Sequence, residues 1–214
     1  SLLIDVSLHI GSFFAVLFYF REDIKNFFNN KELFFKILIS SMPIIVFGYF
    51  LVKYDIIIYL RDIKIIGFTT LIFGVFLFLS DRYKEEKNIE KNFTFKSAII
   101  IGLIQILSLV PGVSRSGIVI TASRFLNFDR YDSAKISFYL SIPTIAGASF
   151  LTLKDLDASE FTLNIFIFIG ILFSFLFSYL TIKYFLIYTK KFTLSLFVIY
   201  RIILSFILFY IIYI

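Results

Sequence analysis

The chain has 214 residues, is 59% hydrophobic with 31 Phe and no Trp, and has a mean hydropathy of +0.93; a soluble domain is about 45–50% apolar, so this is read as an integral membrane protein. It has no cysteine, which excludes disulfides, thiolate metal sites and cysteine nucleophiles. The net charge of +6 lies on Lys and Arg of short connecting segments, a pattern that reports topology and contact with the headgroups of a lipid bilayer, not nucleic acid.

Charge-free runs in chain order mark the expected spans: 6–20, which is short; 37–52, interrupted by Pro43; 65–80; 97–114; 136–153, which contains Pro143; 161–182; and 192–214, which carries Arg201. A crossing needs roughly 20 residues, with about 17 as a lower limit. The fourth run differs. Its continuous helical part, 97–110, stops at Pro111, and a second short apolar piece follows over 117–128. Two short apolar helices joined by Pro-Gly-Val-Ser-Arg-Ser-Gly are read as a re-entrant hairpin, 97–128, inside a single membrane domain of 1–214. Broken backbone at membrane depth is tolerated only where protein or a wet cavity surrounds it, and such pieces commonly build membrane sites.

Loop charges give the sidedness. Residues 82–96 carry Arg82, Lys84, Lys87, Lys91 and Lys96, and 124–135 carry Arg124, Arg130 and Lys135. Both flanks of the hairpin are positive and belong inside. The acids Asp155, Asp157 and Glu160 place 154–160 outside, and Lys183, Lys190 and Lys191 return 183–191 to the inside. The chain starts at Ser1 and its only methionine is Met42, so further protein is expected upstream.

Chemistry concentrates in "LVPGVSRSGIV", 109–119. An unpaired Arg at depth costs about 2.5–3.5 kcal/mol even on lenient scales, so Arg115 implies a partner. The stretch 91–128 contains no acid. A ligand that brings its own negative charge answers this, and guanidinium suits phosphate oxygens. Ser114 and Ser116 supply hydroxyls. Gly112 and Gly117 are expected to let backbone N–H groups approach the ligand, and a helix starting near Gly117 is expected to add its dipole. The competing reading is that Arg115 snorkels to the interface and Pro111-Gly112 simply breaks a helix. Gln105 is a second polar candidate, facing the same cavity or bonding between helices. His9, the only histidine, is expected to be packed and hydrogen-bonded, with Asp5 one turn away. Arg201 is either a site residue or a brace for the hairpin.

"PGVSRSG" at 111–117 resembles a signature of the bacterial undecaprenyl-diphosphatase, or bacitracin-resistance, family. Gly102 and Gln105 precede it with similar spacing; Ala134, Phe138, Pro143 and Ala148 follow in "SAKISFYLSIPTIAGA". "LHIGSFFAVLFYFREDI" (8–24) and "VIYRIILSFILF" (198–209) resemble the family's early and closing helices. The resemblance implies an all-α polytopic fold with about six transmembrane helices plus re-entrant hairpins in an inverted repeat, in the bacterial inner membrane. It implies hydrolysis of an isoprenoid diphosphate to the monophosphate, which recycles the carrier for cell-wall synthesis and confers bacitracin resistance. It further implies a divalent cation, Mg²⁺ or Ca²⁺. The family's acidic signature is absent from this chain, so no metal ligand is assigned. Val119 stands where many members have Thr, and Thr121 is the nearest hydroxyl. Oligomeric state stays open, a homodimer included. A transporter or flippase of a phosphorylated isoprenoid lipid is the alternative function, and a chain inactive without the acidic signature is a third reading.

Overall fold

The computed structural model describes residues 2–29, 31–154 and 165–213. The side chains of Asp5 and Ala148 and the acidic segment 155–160 lie outside the described part. Eleven α-helices are formed among the described residues. α1 (Leu2–Tyr19) passes through α2 (Arg21–Asn29) into α3 (Lys31–Lys53), and a single turn, α4 (Ile56–Leu60), precedes α5 (Ile63–Asp81). α6 (Ile89–Asn92) and α7 (Phe95–Gln105) follow, then a 3₁₀ turn (Ile106–Leu109) and α8 (Arg115–Phe125). Three long helices close the chain: α9 (Arg130–Lys154), α10 (Ile165–Lys191) and α11 (Ser195–Tyr213).

Four described helices are long and apolar enough to cross a membrane: α3, α5, α10 (over Ile167–Lys191) and α11. The chain is an all-α membrane protein. Pro43 and Pro143 lie inside α3 and α9 and end neither, so the interruption expected at Pro43 does not occur. A proline deletes one N–H and would kink or break a helix in water. In an apolar surrounding no water competes for the remaining backbone groups, and the cheapest way to satisfy them is to continue the helix.

Helices in lipid gain little from hydrophobicity when they associate, so small residues decide which faces meet. α1 and α10 meet along such a seam. A Cβ on Gly11 would collide with the carbonyl oxygen of Ile171 and lie 2.7 Å from Ser174 Cβ. The Ser12 hydroxyl shares 3.0 Å hydrogen bonds with the Ser174 and Ser178 hydroxyls, and Ser174 donates to the Leu8 carbonyl. α3 and α7 meet in the same manner: a Cβ on Gly102 would lie 2.8 Å from Ser40 Cα, and Ser40 Oγ donates to the Ala98 carbonyl at 2.7 Å.

One end of the molecule is clasped by charge. The Asp81 carboxylate, at the end of α5, accepts from Arg130 Nε and, at 3.0 Å, from the Leu194 amide just before α11. Arg124, at the end of α8, is fully buried and donates to the carbonyls of Phe128, Tyr83 and Asp81. Within the basic flank 124–135, Arg124 is turned inward: three carbonyls left over at helix ends and turns need a donor, and its planar fork supplies several at once.

Candidate active site

The segment between α6 and α9 doubles back on itself. Phe93, just before α7, and Phe128, just after α8, are in edge contact with ring centroids 6.1 Å apart; the Lys87 amide donates to the Asn127 carbonyl and the Asp129 amide to the Lys87 carbonyl. The motif thus sits at the tip of a hairpin whose two ends meet. The core side of the hairpin is apolar, with Val113, Ile118 and Val119 buried.

The turn at the tip is fixed by its carbonyls. Thr69 Oγ1 donates to the Pro111 carbonyl at 2.7 Å, and Thr70 Oγ1 to the Gly112 carbonyl at 3.3 Å. Arg201 Nη2 donates to the same Gly112 oxygen at 2.7 Å, and its Nε reaches the Thr70 carbonyl at 3.4 Å. α5 and α11 therefore grip the turn from one side. Gly112 has φ of +89°, where a side chain is strained, and a Cβ there would also collide with Thr69 Oγ1. Its glycine is required by this packing. Arg201 is a brace, the second of the two readings offered for it.

α8 begins at Arg115, two residues earlier than expected, because Ser114 caps it. Ser114 Oγ accepts from the Gly117 amide at 3.2 Å. This corrects the role expected for Gly117: its N–H is used by the cap and is not offered to a ligand. A capped helix still leaves its first amides without intrahelical partners, so Arg115 and Ser116 supply the backbone donors at this helix start, with the dipole behind them. Ser114 itself holds φ of +70°, which a non-glycine residue adopts at a cost of about 1–3 kcal/mol.

Arg115 is half-buried, while Ser114 and Ser116 are exposed. The Arg115 guanidinium reaches across to α9, where Nη1 donates to Thr144 Oγ1 at 3.3 Å. It makes no ion pair among the described residues. Thr144, unlike the motif, carried no signal in the sequence beyond following Pro143; its hydroxyl also donates to the Leu140 carbonyl at 2.8 Å. The Ser114 and Ser116 hydroxyls lie 3.5 Å apart. The three side chains of the Ser-Arg-Ser triplet are thus gathered at one helix start, beside Thr144.

The remaining candidates fall elsewhere. Thr121 is buried and its hydroxyl donates back to the Gly117 carbonyl at 2.7 Å, so it props the first turn of α8. Gln105 is fully buried, and neither atom of its side-chain amide has a hydrogen-bond partner among the described residues; it makes no bond between helices. His9 is exposed and makes no hydrogen bond among the described residues, contrary to the packed role expected of it.

While the Thr144 hydroxyl is spent on the Leu140 carbonyl, a cation, the Ser114 and Ser116 hydroxyls and the first amides of α8 form a set suited to an anion. It is not a ligand set for Mg²⁺ or Ca²⁺, which take carboxylate and carbonyl oxygens; among the described residues no group of three or more His, Asp or Glu is placed to hold a metal.

The fold is that of an all-α membrane protein, with the Ser-Arg-Ser triplet at a helix start where α7 and α8 turn back on each other. The chain belongs to the bacitracin resistance protein BacA family, which it matches over residues 1–207. Relatives named undecaprenyl-diphosphatase agree. That of Pelagibacter ubique (strain HTCC1062) is 53% identical over 192 residues, covering 89% of this chain and 75% of that protein. That of Jannaschia sp. (strain CCS1) is 36% identical over 176 residues, covering 73% and 66%. That of Saccharophagus degradans (strain 2-40 / ATCC 43961 / DSM 17024) is 36% identical over 204 residues, covering 89% and 76%.

Proposed function

We infer that this protein hydrolyses undecaprenyl diphosphate to undecaprenyl phosphate and inorganic phosphate, the step that renews the lipid carrier for cell-wall synthesis and gives bacitracin resistance. The observation that carries the reading is Arg115, a guanidinium with no carboxylate partner, set in an apolar body at the start of α8. In the reaction a water oxygen forms a bond to the terminal phosphorus, the bond from that phosphorus to the bridging oxygen breaks, and the bridging oxygen stays on the lipid monophosphate. Phosphoryl transfer asks mainly for positioning and for stabilisation of charge on the phosphate oxygens. Arg115 supplies the charge. Ser116, Ser114 and the amides of Arg115 and Ser116 supply donors. Thr144 holds the guanidinium in direction. Gly112, Gly117, Thr121 and Arg201 keep the turn and first helical turn in shape. A divalent cation fits the family's chemistry, but the residues around Arg115 do not hold one by themselves, and no step here runs through it.

In the membrane we read 97–128 as a re-entrant hairpin, with α1 and α9 completing six crossings, an inverted repeat relating the halves, and the bacterial cell membrane as the location. Purified protein in detergent, supplied with undecaprenyl diphosphate, tests the function: release of inorganic phosphate supports it. Movement of the lipid between vesicle leaflets without phosphate release would instead make the protein a transporter.

A further inference from the structure

A cavity of about 340 Å³ opens away from the motif, where the segment before α7 meets the end of α8. Lys87, Lys91 and Lys96 line it, above an apolar floor of Ile100, Leu126 and Phe128. None of the three lysines forms an ion pair among the described residues, although Lys25, Lys36, Lys84 and Lys135 all do. The neighbouring Glu86 and Glu90 do not line the cavity. Three lysines thus line one space with no carboxylate partner among the described residues, and an anion placed among them offsets their mutual repulsion.

An apolar path leads away from the cavity. Lys96, Ile100 and Leu103 follow at i, i+4 and i+7 on one face of α7, and Leu107 follows in the 3₁₀ turn. Leu103 and Leu107 are 53% and 44% exposed, on a part of the chain expected to lie in lipid. A ligand that fits must join a phosphate-like charge to hydrocarbon. Lysine serves such a charge as a mobile point cation, and basic pockets between helices next to the membrane are suited to anionic headgroups.

We propose that this cavity binds the phosphodiester headgroup of an anionic phospholipid between Lys87, Lys91 and Lys96, with its acyl chains lying along Ile100, Leu103 and Leu107. The site is separate from the one at Arg115, and it would tie the foot of the hairpin to the leaflet surface.

Native mass spectrometry of the purified protein in detergent, titrated in parallel with phosphatidylglycerol and phosphatidylcholine, tests this. One phosphatidylglycerol should be retained about tenfold more tightly than phosphatidylcholine, or better. K87Q/K91Q/K96Q should remove the preference, and K87R/K91R/K96R should keep it. The same loss of charge at Lys31, Lys183 and Lys191 should leave it intact. Equal retention of the two lipids by the unaltered protein overturns the proposal, and this comparison decides even where the glutamine variant folds poorly. An equal loss in the Lys31, Lys183 and Lys191 variant overturns it too, by showing only diffuse attraction. Displacement of phosphatidylglycerol by inorganic phosphate alone would assign the cavity to free phosphate and overturn the lipid assignment.

Discussion

Arg201 donates from Nη2 to the carbonyl oxygen of Gly112 across 2.7 Å, joining the last helix to the turn that precedes Arg115. The two arginines near the motif therefore differ: Arg201 holds backbone carbonyls, whereas Arg115 donates to the Thr144 hydroxyl and has no carboxylate partner among the described residues. Arg201→Ala strips a charged donor from the Gly112 and Thr70 carbonyls and leaves Gly112 only the longer bond from Thr70 Oγ1; a hydrogen bond to a charged group contributes about 1.5–3 kcal/mol. Thermal unfolding in detergent should show a lower midpoint for Arg201→Ala, with Arg115→Ala close to the unaltered protein. Equal midpoints for Arg201→Ala and the unaltered protein would show that the brace carries no weight.

The two glycines of the motif should separate in the same assay. Gly112→Ala forces a side chain into φ of +89° and against Thr69, a strain of about 1–3 kcal/mol before any collision is counted. Gly117 lies within α8, and its added Cβ would lie 3.2 Å from Ser114 Oγ. Gly117→Ala gains helix propensity of up to about 1 kcal/mol against that crowding, so it should unfold well above Gly112→Ala. The reverse order would contradict the assignment of Gly112 to packing.

Much of this was legible in the residues. Mean hydropathy gave the membrane class, and Pro111-Gly112 with a permanent cation marked the hairpin tip. The start of α8 was misplaced because Gly117 looked like a boundary, whereas the local Ser114 cap sets it; a serine before an Arg-Ser-Gly run was the available signal. Prolines misled in α3, where the solvent that makes them disruptive is absent. Thr144 and the Gly112 contact of Arg201 depend on segments 29 and 89 positions away in sequence, and no local pattern announces either. Loop charge counts place Arg124 in the basic flank but cannot distinguish an arginine that reports sidedness from one that closes helix ends.

Asp81 is the centre of the charge clasp. Asp81→Ala removes one of the two carboxylate partners of Arg130, whose Nη1 keeps Glu85 at 2.6 Å, removes the acceptor of the Leu194 amide and leaves the buried Arg124 with less compensation. Breaking a wholly buried pair costs about 3–5 kcal/mol, and with Glu85 retained the loss should lie towards the lower end. The variant should show a marked fall in folded yield and in thermal midpoint, and a variant as stable as the original would refute the role of the clasp.

Asp132, beside the 82–96 segment, gives a pH prediction. Burial pushes its carboxyl above the ordinary range, while the hydrogen bond from the Ile89 amide works the other way. A raised value in the folded protein means that folding favours the protonated form. Its contribution is full below about pH 4, the unfolded value, and is lost as pH rises through the folded one. Asp132→Asn cannot ionise and still accepts from Ile89, so it should be more stable than the original at neutral pH, with the gap closing towards pH 4. A gap that widens on acidification would invert the sign.

The central claim is that the Arg115 guanidinium grips the substrate's phosphates, and phosphate release from undecaprenyl diphosphate by matched variants tests it most directly. Removal of a preorganised charged donor should lower kcat by about 10²–10³-fold in Arg115→Ala, with Arg115→Lys recovering part of the rate and both variants folded by thermal unfolding. Turnover by folded Arg115→Ala at the rate of the unaltered protein would contradict the claim.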